Sequence, residues 1–220
     1  MLEAATLKFL KELEKNNNKA WFEKNRLVYE TAKSDFIEVI TELLHRISKF
    51  EPAMGSLLAK DCLFRINRDV RFSKDKRPYK NNMAGYFNKD GKKGPGAGYY
   101  LHVEPGKSFV AGGIWMPEAA GLAKIRQEID YCFAEWKKII GSSGFKKLFP
   151  KGLDTSEILI RPPKGYDENN PAIAFLKMKS FVVRKPITNG EIQSKSFVKD
   201  IARTFETMKP MIDFINKAVG

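Results

Sequence analysis

Cysteine is scarce. Cys62 and Cys132 are the only two in 220 residues and stand seventy positions apart. That excludes a disulfide framework and a zinc cluster, both of which need closely spaced ligands. No apolar run approaches the ~18–20 residues that a membrane span requires. Met1-Leu2-Glu3-Ala4-Ala5-Thr6-Leu7 lacks the basic-then-apolar order of a secretory signal. The expectation is a cytoplasmic protein with reduced thiols and no membrane partner. Several catalytic signatures are missing too. There is no His-Glu-x-x-His, no Gly-x-Ser-x-Gly, no phosphate-binding P-loop, no Gly-x-Gly-x-x-Gly and no clustered aspartates for magnesium. No metal is implied, a cofactor is left unknown, and whether the chain is an enzyme is left undecided. Nor is there a helix-turn-helix or an RNA-binding aromatic signature.

What is present is aromatic and basic. Sixteen Phe, seven Tyr and three Trp exceed what a disordered chain carries. The formal charge is +13, from 39 basic and 26 acidic residues. Residues 1–59 are neutral, with nine of each sign. Residues 60–95 hold eleven cations and four carboxylates, so +7 of the excess lies in 36 residues. Charge kept for solubility alone would be spread more evenly.

The apolar spacing separates helical ends from an extended middle. Leu7, Leu10 and Leu13 mark a first helix, stopped by Asn16-Asn17-Asn18. Phe22, Tyr29, Phe36, Ile40, Leu43, Ile47 and Phe50 predict one long helix from about Lys19 to Lys49, ended by Glu51-Pro52. From Asp61 the period becomes two. Cys62, Phe64, Ile66, Val70 and Phe72 would share one strand face, opposite Arg65, Asp69 and Arg71. Further strands are expected at Ala84–Asn88, Tyr99–Glu104, Phe109–Trp115 and Ser180–Pro186. Leu122, Ile125, Ile129, Phe133, Trp136 and Ile140 predict a helix over 118–140, and an extended stretch follows at Glu157–Arg161. Phe197, Ile201, Phe205 and Met208 predict a C-terminal helix kinked at Pro210. Together these give one α+β domain over 1–220. A helical pair occupies 1–50, a strand-rich basic region 61–116, and helices with one or two further strands 117–220. The sheet, mostly antiparallel, would draw on residues 62–115 and 181–186, with helices covering its apolar face.

Three segments bear on chemistry. Arg65 to Lys80 places seven cations and two carboxylates in sixteen residues. Arg65, Arg68, Arg71, Lys76 and Lys80 would grip an anion, arginine through its planar fork and lysine as a point charge. Tyr79 would help position it, and Asp69 would orient the guanidinium groups. Alternatively, Asp69 and Asp75 are structural partners in an internal ion-pair lattice. In Tyr99–Glu104, alternation puts Tyr100, His102 and Glu104 on one face. Histidine suits proton transfer near neutrality, which makes His102 and Tyr100 the catalytic candidates. A half-buried strand face with a satisfied histidine explains the same pattern. Gly112-Gly113 inside a strand marks a bulge or a close approach by ligand or backbone.

Five blocks, in order along the chain, resemble the family catalogued as domain of unknown function 2461. They are Asn17-Asn18-x-x-Trp21-Phe22, the run Arg65 to Lys80, Gly98 to Val103, Gly112-Gly113-x-Trp115-x-Pro117, and Pro162 to Asp167 leading to Phe175-Leu176-Lys177. The resemblance implies one compact unit and brings no activity with it. The residues themselves support three functions. The first is a site for a phosphate-bearing or other anionic small molecule. The second is a nucleic-acid-binding protein, the third a non-catalytic partner-binding module with a structural Arg–Asp network.

Overall fold

The computed structural model describes residues 1–220. In chain order the elements are α1 (Ala4–Lys15), α2 (Lys19–Lys24), α3 (Arg26–Ile47), α4 (Ala59–Cys62), β1 (Met83–Phe87), β2 (Gly98–Val103), β3 (Phe109–Ile114), α5 (Ala119–Tyr131), α6 (Phe133–Gly141), α7 (Ser143–Leu148), α8 (Ile173–Leu176), β4 (Phe181–Pro186), α9 (Asn189–Ile192) and α10 (Phe197–Val219). The four strands form one antiparallel sheet in the order β1-β2-β3-β4. The chain is a single-domain α+β protein. It divides into two compact units, one of Met1–Gly94, Tyr100–Val110 and Pro186–Arg203, the other of Pro95–Tyr99, Ala111–Lys185 and Thr204–Gly220. Those boundaries cut through β2, β3, β4 and α10 instead of falling in a linker. No helix is long and apolar enough to cross a membrane.

In the first unit the leucine spacing of α1 buries Leu7, Leu10 and Leu13, and α1 packs along α3. Asn18 caps α2, its side chain accepting from the Trp21 N–H at 3.0 Å. Phe22 stacks on Tyr79 with centroids 3.9 Å apart and planes 13° apart. Asn17 reads the backbone of the same tyrosine twice. It accepts from Tyr79 N at 3.0 Å and donates to Tyr79 O at 2.9 Å. α3 lies close to β1, where a Cβ on Gly85 would run into Ile40.

In the second unit Trp136 of α6 is fully buried, between Phe175, Phe181 and Phe214. The glycine pair in β3 serves close packing by the protein itself. A Cβ on Gly112 would collide with Met208 of α10. Gly113 sits at φ +123°, where a Cβ would overlap the Phe181 carbonyl of β4.

The expected boundaries of β1 to β4 agree with those observed to within a residue or two, while four expectations need correction. The helix over 19–49 is broken at Asn25, whose φ of −106° and ψ of 17° leave helical geometry and whose amide donates to Trp21 O at 2.9 Å. The helix over 118–140 is broken at Cys132. The strand expected from Cys62 onward is absent. Cys62 ends α4, and up to Asn82 there are only single bridges, Leu63 to Gly85 and Asn67 to Tyr79. The cause is local. Asp69 accepts from the N–H of Arg71 at 3.2 Å and Asp75 from that of Arg77 at 3.0 Å. These turns compete with a strand ladder. Phe72, expected on the apolar face, is 95% exposed. Glu157–Arg161 likewise forms one bridge, Ile158 to Met178, and no strand.

Two outcomes follow from this packing. Gly113→Ala forces both a disfavoured φ and a clash with backbone, so urea denaturation should show a loss of about 2–4 kcal/mol. Burial pushes the Cys62 thiol from its ordinary 9.0 up to about 11. The unfolded chain therefore releases this proton first. The stability Cys62 contributes is complete below pH 9 and is lost as pH rises through 11. Cys62→Ala should show a shallower alkaline decline in unfolding free energy over that range.

Candidate functional site

Residues 66–68 pair with residues 78–80 across a narrow neck. Arg68 N donates to Pro78 O at 2.9 Å and Lys80 N to Ile66 O at 2.8 Å. Asn17 pins this neck at Tyr79. Beyond it, residues 69–77 form a loop held by its own charges. Arg68 Nη1 donates to Asp75 Oδ2 at 2.7 Å and to Arg77 O at 3.1 Å. Arg77 grips Asp75 as well, through Nη2 at 2.7 Å. Arg71 forms a two-pronged pair with Asp69, Nε to Oδ1 at 3.0 Å and Nη2 to Oδ2 at 2.7 Å. Lys76 Nζ donates to Val70 O at 3.1 Å. The guanidinium groups hold both aspartates below the usual carboxylate range, by hydrogen bonding first.

The seven cations of Arg65–Lys80 thus have different employments. Arg68, Arg71 and Arg77 each have a carboxylate partner. Asp69 orients Arg71 only, as no strand face brings Arg65 and Arg71 together. Tyr79 is buried against Phe22. Arg65 is exposed and pairs with no carboxylate, and neither does Lys80. Lys80 is half-buried, with Nζ 5.5 Å from the centroid of the Phe64 ring. Burial, and then the charge of Arg65, hold its ammonium below the ordinary lysine value.

Phe64 connects this pair to the sheet. Its N–H donates to Ala84 O at 3.0 Å, so residues 63–64 extend the sheet beyond β1. Strand alternation puts Ala84 and Tyr86 of β1, Tyr100 and His102 of β2, and Phe109 of β3 on one face. The Phe64 and Tyr100 rings lie 6.2 Å apart. Tyr100 Oη is 3.1 Å from His102 Nδ1, and His102 Nε2 is 3.0 Å from Glu104 Oε2. Glu104 Oε1 accepts from Asn81 at 3.1 Å and lies 3.4 Å from Lys107 Nζ. Phe109 stacks on the His102 ring, 4.7 Å between centroids and 17° between planes. Burial pushes the Tyr86 phenol up to about 12. His45 lies on exposed α3 surface, and no three His, Cys, Asp or Glu side chains are grouped to hold a metal.

The structure therefore joins Arg65 and Lys80, through Phe64, to Tyr100 and His102, and employs Arg68, Arg71 and Lys76 within their own loop. Sequence reasoning missed Asn81, Phe64 and Phe109 as members. Their spacing to Glu104 and His102 becomes visible only once β1, β2 and β3 are placed side by side.

The chain belongs to the family described as conserved hypothetical protein (DUF2461), which matches residues 5–214. Comparison with curated proteins and with solved structures finds no match.

The Arg71–Asp69 pair is solvent-screened, Arg71 being 77% exposed. Arg71→Ala should leave the melting temperature unchanged. Arg68→Ala removes the group that ties Asp75 to the neck, and limited proteolysis should then cut within residues 69–77 faster than in the parent protein.

Proposed function

We propose that this family member binds a phosphate-bearing or other anionic small molecule on the face bounded by Arg65, Lys80, Phe64 and Tyr100. The observation that carries the reading is the uncompensated charge. Within one segment the aspartates hydrogen-bond Arg68, Arg71 and Arg77, which leaves Arg65, Lys74, Lys76 and Lys80 without an ion pair; Lys80 is the half-buried one of these four, and it lies in the field of Arg65, whose charge also reaches Asp69. Two neighbouring cations of this kind disfavour each other, and one anion between them relieves that cost. Arginine supplies the planar fork for phosphate or carboxylate, and lysine the point charge. The aromatic surface of Phe64 and Tyr100 would take the apolar part of the ligand.

A second reading has its own support. Phe72 is 95% exposed at the tip of the loop, with the Arg71 guanidinium 5.8 Å from its ring. An exposed ring among cations also suits base stacking and phosphate contact on single-stranded nucleic acid.

Thermal-shift titrations with inorganic phosphate, sugar phosphates and nucleotides test the first reading. A saturable rise in melting temperature is expected, lost in Arg65→Met and Lys80→Met and kept in Arg71→Met. If none of these anions raises the melting temperature, the reading fails. Fluorescence anisotropy with short DNA and RNA at low and moderate salt tests the second. Binding that weakens with salt and is lost in Phe72→Ala would favour it.

A further inference from the structure

The sheet face does more than line a binding surface. We propose that it is a proton-transfer centre in which Tyr100 Oη, and not His102, is the atom that meets the substrate. This rests on the anion-site reading for its ligand and adds the chemistry that the ligand would undergo.

Both nitrogens of His102 are already engaged, Nδ1 with Tyr100 and Nε2 with Glu104. An ionised carboxylate can only accept, so Glu104 assigns the hydrogen to Nε2. Nδ1 is then a bare acceptor, and the Tyr100 hydroxyl donates to it. The His102 and Glu104 side chains are only 13% and 15% exposed, which leaves no ring nitrogen to offer a ligand.

The geometry is held from several sides. Asn81 donates to the second oxygen of Glu104, with Lys107 Nζ nearby. Ser108 Oγ accepts from Glu104 N at 2.9 Å and donates to Glu104 O at 2.7 Å, fixing the strand end. Phe109 fixes the plane of the imidazole. Glu104 and Lys107 are the charged groups in contact with the chain, while Lys80 approaches it from the far side of the Phe64 ring, with Arg65 next to Lys80.

The step balances within the protein. A substrate hydroxyl gives its proton to Tyr100 Oη as the phenol's own proton passes to His102 Nδ1. The phenol is restored, the imidazole becomes imidazolium, and Glu104 stabilises that charge. Lys80 and Arg65 are the groups placed to stabilise the substrate's new oxyanion. In reverse the same chain protonates an oxyanion. The substrate class is therefore an anionic molecule whose reacting group is a hydroxyl or carbonyl oxygen. Tyr100 is the catalytic residue, while His102, Glu104 and Asn81 position it and relay its proton.

A phenol beside such a base is an unusually reactive nucleophile. The test treats the intact protein with an aryl sulfonyl fluoride at neutral pH and locates the sulfonate esters by mass spectrometry. Tyr100 should be labelled ahead of Tyr131, which is 76% exposed and serves as the reference. His102→Gln should slow labelling of Tyr100 by at least about tenfold, with Tyr131 unaffected. Nitrogen-15 NMR of the parent protein reads the same arrangement without a variant. It should find His102 protonated on Nε2 with Nδ1 as acceptor. Labelling of Tyr100 no faster than Tyr131, no response to His102→Gln in a folded variant, or a proton on Nδ1 would each overturn the proposal. Added inorganic phosphate separates the two readings. Fast, His102-dependent labelling with no protection by phosphate leaves the proton relay standing without a phosphate site. Phosphate binding dependent on Arg65 and Lys80, but with unreactive Tyr100, leaves the anion site standing and removes the relay.

Discussion

Everything at the candidate site depends on the two-residue period of β2. Consecutive side chains leave a strand on opposite faces. Tyr99, Leu101 and Val103 are consequently fully buried, and Tyr99 meets Phe205 at 5.0 Å. Tyr100, His102 and Glu104 are delivered together to the other face with their polar atoms in sequence. Hydrophobic burial fixes the register, because a slip of one residue would take three large apolar groups out of the core and turn a histidine and a glutamate into it, away from their polar partners. The energy that orders the Tyr100–His102–Glu104 chain is thus supplied by the residues between its members. Side chains on a buried-face strand are held more rigidly than on a loop, which is what aligned proton transfer requires.

Electrostatics supplies the second constraint. Residues 65–80 carry a net charge of +5, and ion pairs lower the mutual repulsion of that charge. Asp69 pairs with Arg71 and Asp75 is shared by Arg68 and Arg77, and both aspartates fold the loop through their bonds to the backbone of Arg71 and Arg77. Four cations keep no ion pair, Lys74 and Lys76 in the exposed loop and Arg65 and Lys80 on the two sides of the neck, and of these Lys80 is the half-buried one. The neck is positioned in turn by Asn17 and by the Phe22–Tyr79 stack. The N-terminal helices, although neutral overall, thereby hold the basic segment in place.

How much of this was legible in the sequence depends on the range of the interaction. The α+β class and the four sheet strands follow from local apolar spacing, and so does the grouping of Tyr100, His102 and Glu104. The missing strand over 62–73 shows the limit. Alternation was present there, but so were two aspartates able to bond the backbone two residues on, and side-chain competition prevailed over the pattern. Asn25 overruled the helical stripe in the same way. The long-range pairs were invisible for another reason. Nothing in the spacing of Asn17 from Tyr79, or of Asn81 from Glu104, marks them as partners. Gly112 and Gly113 were readable as places of close approach, but whether by ligand or by the protein's own backbone needed α10 and β4 in position.

The central claim is that Lys80, beside Arg65, is a cation awaiting an anion. The most direct measurement is the titration of Lys80 itself, by NMR of side-chain-labelled lysine, with its resonance assigned through Lys80→Arg. A lysine whose folded value is lowered makes the protein gain stability as pH rises from that value toward the ordinary 10.5, because the unfolded chain holds the proton more tightly over that range. The account predicts that Lys80 titrates below the exposed lysines and that inorganic phosphate moves it upward by stabilising the ammonium. If Lys80 titrates with the exposed lysines and phosphate leaves it unmoved, the account is contradicted.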